Sequence, residues 1–175
     1  MKGEVREAVA RGVVIEYVSG WNSHDAPRLA ALFREDGSYG DFGEGKVFLG
    51  RDEIERTLSD FFYAVPDLAL TLTSEPASDG DRALCRWTIS GTQTGALWGL
   101  PATGRTFRVE GSTMFVLRDG QIERAAVYYS VRSVTRQLKF RLSPEAAARP
   151  SVTPPRDIVA PPEFPPDEDN IGYGE

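Results

Sequence analysis

A chain of 175 residues suits one domain with a buried core and a short appendage, and its 41% hydrophobic and 26% charged residues are ordinary for a globular protein. No apolar run approaches the roughly 20 residues that cross a bilayer, and the polar N-terminus lacks a signal peptide's apolar stretch, which excludes a membrane role. The formal net charge of −6 argues against nucleic acid as a partner, and one cysteine, Cys85, excludes a disulfide framework and points to the cytoplasm.

The charge is unevenly placed. Residues 143–175 hold seven acids against Arg149 and Arg156, and eight of the 12 prolines, while residues 1–142 are close to neutral. The composition therefore divides the chain into a folded unit over 1–142 and a Pro-rich acidic extension over 143–175. The extension lacks periodicity and reads as extended, solvated chain. Its apolar residues, among them Ile158, Val159 and Phe164, offer the alternative of pinning it across a cavity mouth or onto a second subunit.

From residue 4 to 21 the chain reads as an amphipathic helix, with Val5, Val9, Val13, Tyr17 and Trp21 recurring every fourth residue. Residues 22–25 break it. Asp25 is placed to N-cap a second short helix with Pro27 in its first turn and Leu29, Leu32 and Phe33 inward. A short strand and loop over 37–45 carry Tyr39, Asp41 and Phe42, and a third helix over about 51–64 turns Ile54, Leu58, Phe61 and Phe62 inward.

At Leu68 the period changes to two. Turn signals at 78–81 and 118–120 mark hairpins, a glycine-rich stretch over 91–105 joins two strands, and the last strand is expected over 121–131. Helices followed by a long antiparallel meander define an α+β fold. A curved sheet wrapped on the helices leaves a conical cavity, which Phe62, Trp87, Trp98, Phe107, Met114 and Tyr128 are candidates to line.

Asp41 is the foremost candidate for chemistry. It follows Tyr39 beside Phe42, and a carboxyl in apolar surroundings has a raised pKa and exchanges protons near neutrality. Its alternative role is a loop cap or ion pair. Tyr17 is a candidate donor to an enolate-like oxygen, or simply a packed tyrosine of the helix stripe. Asp67 is either a second pocket carboxyl or a turn residue satisfying backbone N–H groups. His24 reads as a loop residue and Cys85 as a core thiol. Glu110 reads as half of a cross-strand ion pair, and no nucleotide fingerprint or metal cluster is present.

Gly91-Thr92-Gln93-Thr94-Gly95 and Leu100-Pro101-Ala102-Thr103-Gly104 resemble the Gly-Thr-His-x-Gly and Leu-Pro-x-Thr-Gly stretches of the SnoaL-like polyketide cyclases. Trp21-Asn22-Ser23-His24-Asp25, Leu32-Phe33-Arg34-Glu35-Asp36, Pro66-Asp67-Leu68 and Arg136-Gln137-Leu138 are similar to further segments of that family, in the same order. The resemblance implies a cone-shaped α+β barrel of the nuclear-transport-factor-2-like superfamily. It also implies a homodimer formed through the outer sheet face, no cofactor or metal, and a hydrophobic small-molecule substrate.

Two departures bear on mechanism. The family's aldol-type cyclases carry an Asp seven residues before the terminal Gln, where this chain has Ser130, and their His is Gln93 here. Ser130 and Gln93 then hold a substrate or bond within the sheet rather than move protons. Tyr17 and Asp41 have the spacing of the Tyr and Asp of ketosteroid isomerases, whose second oxyanion donor falls near Ser112 or Thr113. Asp41 and Asp67 have the spacing of the carboxylate pair of epoxide-opening members. The expectation is a cofactor-free cyclase or isomerase acting on a polyketide-type intermediate. The alternatives are epoxide opening by Asp41 and Asp67, and a catalytically silent binder.

Overall fold

The computed structural model describes residues 2–139, so the extension over 143–175 and its boundary lie outside the described residues. The order is α1 (Lys2–Ser23), α2 (Ala26–Ala31), β1 (Phe33–Asp41), β2 (Lys46–Leu49), α3 (Arg51–Ala64), β3 (Ala69–Leu72), β4 (Ala77–Asp79), β5 (Arg82–Gln93), β6 (Arg105–Arg118), β7 (Gln121–Tyr129) and α4 (Val131–Gln137). This is the expected α+β arrangement of helices against one curved sheet.

The buried face of α1 is Ala10, Val14, Tyr17 and Trp21, while Val5 and Val9 are exposed. A strict every-fourth stripe drifts by roughly 40° per step on a helix of 3.6 residues per turn, so Val5 has rotated off the face that holds Tyr17. Alternating steps of four and three keep one face, and the buried set follows that spacing. The end of α1 is tied to the sheet by Asn22. Its amide donates to the Leu70 carbonyl and accepts from the Leu70 N–H, both at 2.8 Å. Asn22 thereby completes the free edge of β3, which pairs only with β5.

Asp25 caps α2 as expected, accepting from the Arg28 N–H at 3.0 Å. The short helix ends sooner than predicted. Leu32 is its C-cap and Phe33 already pairs with Ile122 of β7. At the other end of the fold, β7 stops at Tyr129, because the Ser130 side chain accepts from the Ser133 N–H and opens α4.

The strands run in the order β2-β1-β7-β6-β5-β3, with β4 also on β5. The sheet is unclosed and mixed rather than wholly antiparallel: β1 and β7 are parallel, with Asp41 opposite Val127. These strands come from opposite ends of the domain, so no hairpin dictates their direction, and the elements between them form the crossover. Along β5 and β6 the inward positions include Cys85, Trp87, Ile89, Phe107, Val109, Thr113 and Phe115. Helices α1 and α3 cover part of this inner face. Where they diverge from it, a cavity remains.

Candidate active site

The cavity has a volume of about 500 Å³. Tyr17 and Trp21 of α1 and Leu58 and Phe61 of α3 form one wall, and Trp87, Phe107, Thr113 and Val127 of the sheet form the other. Tyr39, Asp41 and Tyr129 stand along its β1–β7 side, and Trp98 reaches in from the glycine-rich loop.

Asp41 is the central polar group. It ends β1 on the inner face and is only 8% exposed. The Glu44 N–H donates to its Oδ1 at 2.9 Å, and the Tyr129 hydroxyl donates to its Oδ2 at 3.0 Å. Burial pushes its carboxyl up to about 6, and the donors from Glu44 and Tyr129 hold it from rising further. Burial also pushes Tyr129 well above the usual tyrosine range, and the neighbouring Asp41 adds to this, so its hydroxyl stays protonated as a donor.

Tyr129 in turn is held by aromatic neighbours. Its ring stacks with Trp98 at 6.2 Å and 27° and lies 6.3 Å from Trp87. Tyr39 connects this end with Tyr17: burial raises its hydroxyl, and Tyr17, Asp41 and Tyr129 all add to the rise. Tyr17 is fully enclosed, with its ring edge-on to Phe115 at 5.1 Å, and burial keeps it protonated too. Trp87 Nε1 donates to Thr113 Oγ1 at 2.9 Å, which fixes the indole on the cavity wall. Chemically the site offers one titratable carboxyl near neutrality, a donor on that carboxyl, and protonated phenols within an aromatic enclosure.

The structure brings five of the predicted residues to the cavity: Asp41, Tyr17, Trp87, Trp98 and Phe107. The others lie elsewhere. Phe62 is buried behind the wall, stacked on His24 at 5.1 Å and edge-on to Trp21 at 5.3 Å. Met114 and Tyr128 are on the outer face with Ser112, because strand alternation runs through Thr113 and Phe115 on β6 and through Val127 and Tyr129 on β7. Tyr128 stacks there on Phe42 at 4.9 Å. Ser130 is the exposed cap of α4. Gln93 is fully buried at the base of the glycine-rich loop, donating to the Gly95 and Pro101 carbonyls and accepting from the Thr103 hydroxyl.

Asp67 also lies outside the cavity. It is exposed, with Oδ1 accepting from the Thr92 N–H and Oδ2 from the Thr92 hydroxyl, both at 2.6 Å. Those bonds hold its pKa below the usual carboxylate range. The structure thus removes the Asp41–Asp67 pair that epoxide opening requires. Glu110 is exposed and in none of the ion pairs found among the described residues, so the expected cross-strand pair is absent. Cys85 is buried, as a core thiol should be.

Sequence reasoning missed Tyr129, Tyr39, Trp21 and Phe61 as cavity residues. The signal for Tyr129 was present: continuing the alternation from Val127 turns Tyr129, not Tyr128, inward. The mouth carries Asp60 of α3 and a Lys46–Glu44 ion pair, which the sequence did not single out.

A helix layer on a curved, unclosed sheet enclosing an apolar cavity with a buried acid is the ketosteroid isomerase-like, or nuclear-transport-factor-2-like, class of fold. A protein of ketosteroid isomerase-like fold from Catenulispora acidiphila is similar at TM-score 0.65 and 24% identity, over 75% of this chain and 97% of that one. A family model, SnoaL-like polyketide cyclase, matches residues 12–138, and the chain belongs to that family. A candidate polyketide cyclase from Xanthomonas campestris is similar at TM-score 0.66 and 25% identity, over 76% of this chain and 98% of that one. A candidate SnoaL-like polyketide cyclase from Jannaschia sp. shares the fold at TM-score 0.70 and 16% identity, over 78% and 95% of the two chains. No curated protein matches the chain in sequence. Among the described residues no helix is long and apolar enough to cross a membrane.

Proposed function

We propose that the chain is a cyclase-type enzyme that acts on a hydrophobic, polyketide-type intermediate by acid/base catalysis, with Asp41 moving the proton. The observation that carries this is the buried Asp41 carboxyl, raised to about 6, with Tyr129 bonded to it inside an aromatic cavity of about 500 Å³. With a pKa of about 6, Asp41 is available near neutrality as a carboxylate, which takes a proton from carbon beside a carbonyl, becomes the carboxylic acid, and returns the proton later. The C–H pair becomes an enolate, which forms the new carbon–carbon bond at a second carbonyl carbon. That second oxygen accepts a proton as it becomes a hydroxyl. Tyr17, kept protonated by burial, donates to the developing oxygen charge.

The cavity volume is in the range of small-molecule sites, and its mainly apolar lining of aromatic and aliphatic side chains suits an apolar ring precursor. The silent-binder alternative expects a filled cone or Asp41 paired to an arginine. Instead the cone holds a cavity, and Asp41 is in no ion pair among the described residues.

The test uses 2-tetralone, a flat ketone with acidic α-hydrogens, in deuterated water. The native chain should accelerate α-deuteration as followed by NMR, and Asp41→Asn should lose about 10²–10⁴-fold of that acceleration. No acceleration by the native chain, or full acceleration by Asp41→Asn, overturns the proposal. The homodimer is proposed on the outer face, where Val47, Leu84 and Met114 are exposed around a groove of about 350 Å³. Met114→Asp should then convert the dimer to a monomer in light scattering.

A further inference from the structure

The glycine-rich loop over 94–104 is held rigidly at its base. Gln93 bonds its two limbs together through Gly95, Pro101 and Thr103. The Thr94 and Gly95 N–H groups both donate to the Ala64 carbonyl, and Gly104 N–H donates to the Gln93 carbonyl at 2.9 Å. A Cβ at Gly95 would meet the Ala64 Cα at 2.9 Å, so this limb is also wedged against α3.

The tip is a two-residue turn. Leu97 and Leu100 exchange backbone hydrogen bonds at 3.0 and 2.8 Å, and the residues between them, Trp98 and Gly99, have φ of 52° and 75°. Positive φ at both central positions is the signature of a type I′ turn, which favours Asn, Asp or Gly. Gly99 meets that demand without cost. Trp98 does not, since a bulky aromatic residue at positive φ is a genuine outlier. Such strain persists only where the surroundings over-determine it, and it concentrates at ligand clamps. The consequence of the strained turn is that the indole enters the cavity, stacked on Tyr129 and 6.4 Å from Phe61.

We infer that Trp98 is a specificity-determining residue, a stacking clamp held by backbone strain, which selects substrates carrying a flat, unsaturated ring. A flat ring entering beside Asp41 meets the indole face. A puckered ring of the same skeleton meets only its area and forfeits the stacking component. This rests on the reading of the cavity as the substrate site, but it is tested by binding and melting rather than turnover. A failure of the clamp is therefore separate from a failure of Asp41 chemistry.

The experiment compares 2-naphthol with decahydro-2-naphthol, which share a skeleton and a hydroxyl and differ in flatness, by NMR titration. The native chain should prefer 2-naphthol. Trp98→Ala and Trp98→Gly should each lose about 2- to 12-fold of that preference, which is the aromatic-pair contribution beyond area, and Trp98→Phe should keep most of it. Melting separates the strain from the lost contacts. Trp98→Gly should melt above Trp98→Ala by about 2–4 °C, the reverse of the order at an ordinary φ. No native preference for the flat probe, an unchanged preference in the Ala and Gly variants, or Trp98→Ala melting at or above Trp98→Gly overturns the inference.

Discussion

The Tyr129 hydroxyl donates to Asp41 Oδ2 at 3.0 Å across 88 residues of sequence. The parallel register of β1 and β7 sets Asp41 opposite Val127, so Tyr129 is the next inward residue beyond Asp41's partner. One strand therefore delivers the acid and its neighbour delivers the donor that restrains it.

Asp41 should destabilise the fold as pH rises. Its native pKa of about 6 exceeds the unfolded value, so the native state binds more protons between those values and stability falls as pH rises from about 4 to about 6. The full effect of this one group is on the order of 3 kcal/mol. Urea unfolding of the native chain and Asp41→Asn across pH 4–7 should show the slope in the native chain and its loss in the variant. Parallel curves would show that the carboxyl is solvated.

Tyr129→Phe should raise the Asp41 pKa further, because the lost bond favours the charged carboxylate. Carboxyl-carbon NMR reads the shift directly. The alkaline rise of 2-tetralone deuteration, which needs the carboxylate, should move to higher pH with it. A pKa that stays put or falls would mean the bond is not formed in solution.

Asp67→Asn should leave deuteration within about twofold of native, since the residue is exposed outside the cavity and acts on Thr92. It should lower stability modestly at neutral pH. The depressed native pKa means that its contribution is present above the unfolded value and lost as pH falls through the native one. A large loss of activity at unchanged stability would return Asp67 to the catalytic machinery.

Gly111→Ala should both destabilise the fold and narrow the cavity. Gly111 lies opposite Trp87 in the β5–β6 register, and a Cβ there would strike the Trp87 indole and come within 2.7 Å of the Tyr128 carbonyl oxygen. Overpacking of this kind costs about 1–3 kcal/mol. Thermal melting gives the stability, and a weaker affinity for 2-naphthol gives the displaced indole.

The sequence by itself determined the first three helices, the long strands and the cap at Asp25, because helix periodicity, strand alternation and turn residues are local signals, while the short β2 and α4 emerged only in the structure. It also brought out Asp41, an acid set among aromatic residues, and the glycine-rich stretch. The family followed from short motifs in a fixed order. What the tertiary structure decided were the pairings. Tyr129 reaches Asp41 only through a parallel strand contact that no hairpin announces. Asp67 is removed from the site because Thr92, 25 residues away in sequence, takes both its oxygens. Phe61 faces the cavity, while Phe62 packs against Trp21 and His24, a division between adjacent positions that the helix period alone does not make. Gln93 and Ser130 stand where the resemblance implied proton-transfer groups, and only packing shows that one fastens a loop and the other starts a helix. Local patterns specify which face a residue takes. Which groups meet on that face depends on how distant strands register, and that is settled by the assembled core.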